Sequence, residues 1–290
     1  MSYRLITDAT ADLTSELLSG LPEVSIIPME IYLDGCLYTY GSNGTICTKE
    51  FYHELRKGKF SSTSQVNPTQ YEKYFTPILE SGEDIIYLSF TSGLSGMYQN
   101  AKQCAERLMQ TYPSRKIACI DTLCASLGEG FLVYEALIRQ AQGYSFEQLT
   151  DWVLSHRKLV CQWFTVDTFD HLKHGGRVSS TAAVLGTMLQ IKPLLHVSEE
   201  GKLEVMDKTI RGTRRAMATL CQRLQDGWTV DFGHRIWIGH GDCLETAKTL
   251  EKEIKKQFPD TEIQIAEVGP VIGSHTGPGI LGLIFWGSWR

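Results

Sequence analysis

Through the first half of the chain, short runs of consecutive apolar residues alternate with stretches whose apolar positions recur at helical spacing. The segments YRLITDA, VSIIPMEIYL, DIIYLSF and KIACIDT read as buried strands, because β-branched and aromatic residues dominate them. Between them, TADLTSELL, TKEFYHELRKG, PTQYEKYFTPILESG and SLGEGFLVYEALIRQAQG are expected as amphipathic helices. After DIIYLSF, the residues Met97, Ala101, Cys104, Leu108 and Tyr112 share one helical face, with Lys102, Gln103, Glu106 and Arg107 opposite. Ser145 and Gln148 stand at capping-box spacing and open a helix over 145–157. This alternation predicts an α/β fold: a mostly parallel sheet flanked by helices on both faces. In such folds ligands gather at the C-terminal strand ends, here the loops TDAT, SSTSQVNP, FTSGLSG and DTLCAS.

The second half has a different texture. A strand LVCQWFTVD leads into a short helix DHLKHGGR and a helix SSTAAVLGTML, then KPLLHVSEEGKLEVMDK reads as two strands turned at Glu199–Gly201. A helix RGTRRAMATLCQRLQ, a strand RIWIGHG, a helix LETAKTLEKEIKKQF and a strand EIQIAEVG follow, before the turn SHTGPG and a terminal strand ILGLIFWG. The pattern is α+β, and the expected division is 1–165 for the first domain and 166–290 for the second.

Composition narrows the function. A chain of 290 residues with 42% hydrophobic content can bury a substantial core. Its net charge of −5, with no basic block longer than Arg214–Arg215 or Lys255–Lys256, argues against a nucleic-acid partner. No apolar run approaches membrane-spanning length and MSYRLITDA lacks a signal-peptide layout, so a cytoplasmic protein is expected, with membrane contact at most transient. The eight cysteines are scattered without a C-x-x-C pair and read as small hydrophobes in a reducing compartment. No phosphate-binding loop and no G-x-G-x-x-G after a strand exists, so neither a nucleotide cofactor nor an own ATP site is expected.

Four stretches carry candidate chemistry. In FTSGLSGMYQN, Ser95 sits at a strand-to-helix turn whose glycines, Gly93 and Gly96, allow close approach, and whose first helical amides are free to bind an anion. The same stretch resembles a hydrolase elbow except for Met97 in place of the last glycine. Ser95 with His275 therefore stands as an alternative nucleophile and base. SSTSQVNP is rich in hydroxyls that also suit a plain turn, with Pro68 opening the next helix. In HLKHGGRVSS, His171 and His174 lack an acidic partner at a fitting offset, so no metal is expected, while Arg177 can present a fork to an acid or sit on the surface. GPVIGSHTGPG crowds glycine around His275, which implies close backbone approach to a ligand or a neighbouring strand.

Taken together, TDATADL, TSQ at 63–65, SGLSGMYQNA, LKHGGRVS, LGTMLQIKPLLHV and GPVIGSHTGPGILGLIF resemble the DegV family, in order and across nearly the whole chain. The resemblance implies a two-domain bacterial fatty-acid-binding protein. It would hold one long-chain fatty acid, such as palmitate, in a tunnel between its domains and serve as a carrier, not an enzyme. It also implies that Thr63 and Ser95, with Gly96 at the start of the helix, hold the carboxylate, and that Arg177 and His275 complete the polar network. Some members are the lipid-carrying subunit of a two-component fatty acid kinase. An ATP-binding kinase subunit is then an expected partner, and Arg211, Arg214 and Arg215 form a candidate docking surface whose plain alternative is a solvated helix face. Ala9, Val66 and Met97 depart from the family pattern; none is a proposed ligand, and Ala9 and Met97 bear on pocket shape.

Overall fold

The structure, a computed structural model, describes residues 2–178, 191–288 and 290. The expected helix SSTAAVLGTML lies outside the described residues. In chain order the first half contains β1 (Tyr3–Asp8), β2 (Val24–Ile27), β3 (Met29–Leu33), β4 (Cys36–Tyr40), α1 (Thr48–Arg56), β5 (Ser61–Thr63), α2 (Pro68–Glu80), β6 (Asp84–Ser89), α3 (Met97–Thr111), β7 (Ile117–Asp121), α4 (Leu127–Ala141) and α5 (Phe146–His156). There follow β8 (Val160–Thr165), α6 (Asp170–His174), β9 (Leu194–Val197), β10 (Leu203–Asp207), α7 (Thr213–Gly227), β11 (Arg235–His240), α8 (Leu244–Gln257), β12 (Glu262–Glu267), α9 (Pro270–Thr276) and β13 (Leu281–Trp286).

The first sheet is parallel throughout, in the order β2-β1-β6-β7. Its strands are buried on both faces: Ile86 and Leu88 point to one core, Ile85 and Tyr87 to another. A second, mixed sheet runs β10-β9-β8-β13-β11-β12, and a small antiparallel sheet β4-β3-β5 stands beside them. Helix α4 is apolar nearly all round. Phe131 and Leu137 share one core with Leu88 of the first sheet and with Phe164, Trp237 and Ile284 of the second, so α4 fills the layer between the two sheets. Helices α7 and α8 cover the far face of the second sheet, where Ile238, Leu283 and Phe285 meet Leu220 and Leu250.

Several expectations change. VSIIPMEIYL is two strands, because Pro28 separates them and sends β2 to the parallel sheet and β3 to the small one. TADLTSELL forms no α-helix: a 3-10 turn at Ala9–Ala11 ends where Asp12 is left-handed with φ 52°, and hydrogen-bonded turns follow, such as Leu18 N to Thr14 O at 3.1 Å. Strand β4 falls in a stretch to which no element was assigned, and helix α9 takes in the start of the expected turn SHTGPG. Strand β8 pairs with β9 and β13 in the second sheet; we therefore propose to divide the chain ahead of Val160, not at 165/166. The helix start at Ser145, capped by Gln148, and the hairpin β9–β10 are found as expected. Pro68 opens α2 behind a capping box of Asn67 and Gln70.

Candidate functional site

Between the two sheets, beside the N-terminal end of α4, lies a cavity enclosing about 930 Å³ including its open mouth. Its walls are overwhelmingly apolar, among them Phe90, Leu127, Phe164, Ile272 and Ile284. The space exists partly because side chains are missing. Gly239 of β11 and Gly282 of β13 are direct partners in the second sheet, and both line the cavity. Along β13, Leu281, Leu283 and Phe285 face α7 and α8, while Ile284 and Trp286 join the central core, so Gly282 occupies a cavity-facing place in the alternation. The segment ILGLIFWG contributes Ile280, Gly282, Leu283 and Ile284 to the wall; residues 184–190 lie outside the described residues.

One end of the cavity is polar, and Thr63, Ser95, Arg177 and His275 all line it, each half-buried. Thr63 ends β5 and is fixed by its register with Ile31 of β3. Its Oγ1 lies 3.0 Å from His275 Nε2, at the C-terminal end of α9. His275 is pushed down to about 4, chiefly by burial and further by the positive Arg177 and the neighbouring His174 and His171, so the ring is neutral at pH 7. The Nδ1 edge of its ring approaches Gly175, where any Cβ would come within 2.1 Å of Nδ1. This explains the first glycine of GGR; the second, Gly176, adopts φ 69° and turns the chain so that Arg177 N donates to Leu172 O at 3.0 Å. Arg177 Nη1 donates to Gly175 O, which holds the guanidinium at the mouth.

Ser95 reaches the same end from the turn between β6 and α3. Gly96 is the N-cap of α3, supplies no side-chain cap, and packs against Gln65, whose Oε1 would lie 2.9 Å from a Cβ there. Ser95 Oγ receives a long bond from Met97 N, at 3.4 Å, which leaves the hydroxyl and the first amides of α3 with capacity to bind an anion. The turn is itself fastened to the second half: Thr91 Oγ1 donates to Gly201 O at 2.8 Å, and a Cβ at Gly93 would be 2.4 Å from that oxygen.

The expected hydrolase alternative does not assemble. His275 Nε2 pairs with Thr63 and not with Ser95, and buried Nδ1 has no hydrogen-bonding carboxylate to orient it. His171 and His174 flank the ring of Phe60, at 4.8 and 4.7 Å between centroids, which gives this pair a packing role. Arg211, Arg214 and Arg215 are exposed at and before the first turn of α7, away from the residues lining the cavity. Of the departures from the family pattern, Met97 lines the cavity, while Ala9 and Val66 are buried in the core around the first sheet.

The loops singled out in the sequence reach the cavity, but the polar network behind it was not among the candidates. Asp8, Thr10 and Glu129 are fully buried, and Thr10 also lines the cavity. Thr10 Oγ1 contacts Asp8 Oδ1 and lies 2.8 Å from Glu129 Oε2. A single hydroxyl hydrogen cannot serve two carboxylates, so one carboxyl is protonated. Asp8 also accepts from Thr10 N at 3.0 Å and from Tyr87 Oη at 2.7 Å, which favours its anion. Glu129, raised well above the ordinary range by burial and by Asp8, carries the proton. The signal available in the sequence was a glutamate between two glycines in the otherwise apolar SLGEGFLV.

Nearby, Ser126 donates to Asp12 Oδ2 at 2.5 Å, and burial, with Asp8 and Glu267 adding repulsion, pushes Asp12 up to about 8. Between its ordinary 3.8 and about 8 the fold keeps a proton that the unfolded chain has released. Stability is thus fully present below that window and is lost as pH rises through it, on the order of 1 kcal/mol per pH unit. Urea unfolding is expected to show lower stability at pH 8 than at pH 5, with a smaller drop for Asp12→Asn; an equal drop would assign the effect elsewhere.

The comparisons agree with this architecture from end to end. The family model described as "Uncharacterised protein, DegV family" matches residues 2–287. A DegV domain-containing protein of Clostridium perfringens is 38% identical over 288 residues, covering 99% of this chain and 98% of that protein. The structure of a DegV family protein from Thermus thermophilus, described by its fatty acid binding, matches with a TM-score of 0.85 at 30% identity, over 99% of this chain and 100% of that one. A fatty acid binding DegV family protein from Streptococcus agalactiae matches with a TM-score of 0.84 at 26% identity, over 98% of each chain. Matched by the family model and by a 38% identical relative over nearly its full length, the chain belongs to the DegV family.

Proposed function

We propose that this protein binds one long-chain fatty acid, with the hydrocarbon in the cavity between the sheets and the carboxylate at the polar end. The observation that carries the reading is the shape of the site: a greasy enclosure ending in the hydroxyls of Thr63 and Ser95 and the start of α3. The fatty acid binding described for the Thermus and Streptococcus proteins points the same way.

The two parts of such a ligand make different demands. Burying about fourteen methylenes at ~0.8 kcal/mol each favours binding by roughly 11 kcal/mol before association costs, so the tail sets affinity. Each charge-assisted hydrogen bond to the head adds only about 1.5–3 kcal/mol and sets direction. A neutral His275 suits this task. With its proton on Nε2 it donates to Thr63 Oγ1, which turns the Thr63 hydrogen toward the carboxylate. Ser95 and the amides after Gly96 take the other oxygen, and Arg177 supplies the nearby positive charge.

The half-buried head also fits a carrier that presents its cargo for phosphorylation by an ATP-using partner, and we extend the proposal to that role. Arg211, Arg214 and Arg215 are the docking surface we assign. Cations at a helix start oppose the helix dipole, so they do not serve α7 itself.

Native mass spectrometry of freshly purified protein tests the binding. A complex carrying the mass of a long-chain fatty acid is expected; no added mass, with no uptake on titration, overturns the reading. Thr63→Val and Ser95→Ala are each expected to weaken palmitate binding by about tenfold, equivalent to about 1.4 kcal/mol, without loss of fold.

A further inference from the structure

We propose that the hydrocarbon passage contains a second polar station, formed by Gln162, that recognises an oxygen atom on the acyl chain and so selects hydroxy- or oxo-substituted long-chain acids. The inference rests on the fatty acid reading above and names the class of cargo within it.

Gln162 lies in β8 and is 4% exposed. It lines the cavity, as does Phe164 two residues on. Its carboxamide is oriented without ambiguity, because Oε1 accepts from Ala125 N at 2.9 Å. That leaves Nε2 buried with no hydrogen-bond partner among the described residues. The fold makes room for this arrangement. Gly128, in the first turn of α4, lies against the amide so closely that a Cβ there would come within 2.3 Å of Gln162 Cδ. Oε1 thus has a structural task at Ala125 N, whereas Nε2 is left over, and an orphaned amide N–H in an otherwise greasy wall calls for an acceptor.

The neighbouring hydroxyls do not provide it. Thr10 is committed to Asp8 and Glu129, and Ser126 to Asp12. Position along the passage points to the tail and not the head. Gln162 is opposite Ile284, whereas Thr165 is opposite Leu281, which follows closely on the turn from His275. Three strand residues separate the two levels, about 10 Å. A hydroxyl or keto oxygen buried in the middle of a chain is unfavourable in a purely apolar tunnel. Facing Gln162 Nε2 it acquires the donor it needs, and the amide loses its penalty at the same time.

The test uses delipidated full-length protein and four probes: stearic acid and stearic acids hydroxylated near the carboxyl, at mid-chain and at the terminal carbon. Affinities are measured by displacement of a fluorescent fatty acid from the wild type and from Gln162→Leu. For the wild type, a mid-chain isomer is expected to bind about tenfold tighter than stearic acid, the gain of one net hydrogen bond. In Gln162→Leu, which also releases the Ala125 amide, the preference for the mid-chain isomer over stearic acid should be lost. If stearic acid binds the wild type and no hydroxylated isomer binds better, or if the variant weakens all four probes alike, the polar station is overturned and the fatty acid reading stands. If stearic acid does not bind at all, both fall.

Discussion

Replacing Gly282 by leucine is expected to weaken long-chain fatty acid binding by roughly two orders of magnitude while leaving the protein folded. A Cβ at this position meets Phe164 Cβ at 3.5 Å and Trp163 O at 3.7 Å, both ordinary contacts, and the backbone there is regular strand. The added side chain therefore enters the cavity without straining the sheet. It takes space that about four methylenes of the ligand would fill, and at ~0.8 kcal/mol each their loss amounts to about 3 kcal/mol. The ligand-free protein should unfold in urea no earlier than the wild type, because the new side chain fills empty apolar space. Undiminished affinity for palmitate would place the hydrocarbon elsewhere.

The second large effect concerns stability. Asp8→Ala is expected to cost about 3–5 kcal/mol by urea unfolding, since it leaves the Thr10 amide, the Thr10 hydroxyl and the Tyr87 hydroxyl buried without their acceptor. Tyr71, 2.9 Å from Tyr87, loses its ordered neighbour as well. Glu129→Gln, in contrast, should change stability by less than about 1 kcal/mol. A protonated glutamate and a glutamine both offer a donor toward Thr10 and an acceptor toward Thr7, whose Oγ1 is 3.0 Å from Glu129 Oε1. If the two substitutions proved equally damaging, Glu129 would be ionised and the proton assignment wrong.

Much of this was legible in the order of residues. Buried parallel strands such as DIIYLSF announce themselves by unbroken apolar runs, and α3 and α8 by stripes at helical spacing. The loops that supply Thr10, Thr63, Ser95 and Ser126 to the cavity are the ones the α/β pattern places at strand ends. What the pattern hid depends on tertiary pairing. SST looks like a hydroxyl-rich turn, yet it is a strand because β3 offers it an edge. PVIGSHT looks too rich in small and β-branched residues for a helix, but α9 is almost wholly buried and packing outweighs its weak propensity. Glu129 and Gln162 sit inside apolar runs, and nothing local tells whether such a polar residue is paired, protonated or waiting for a ligand.

The two hydroxyls proposed to grip the acid belong to the first half of the chain, and each is tied across to the second: Thr63 through His275, and the turn bearing Ser95 through Gly93 and Thr91 to Gly201. Any motion that draws the halves apart must therefore undo the grip at two points together. For the ligand we propose, loading and unloading would share a single opening coordinate, and the separation that frees the exit would also loosen the hold on the acid.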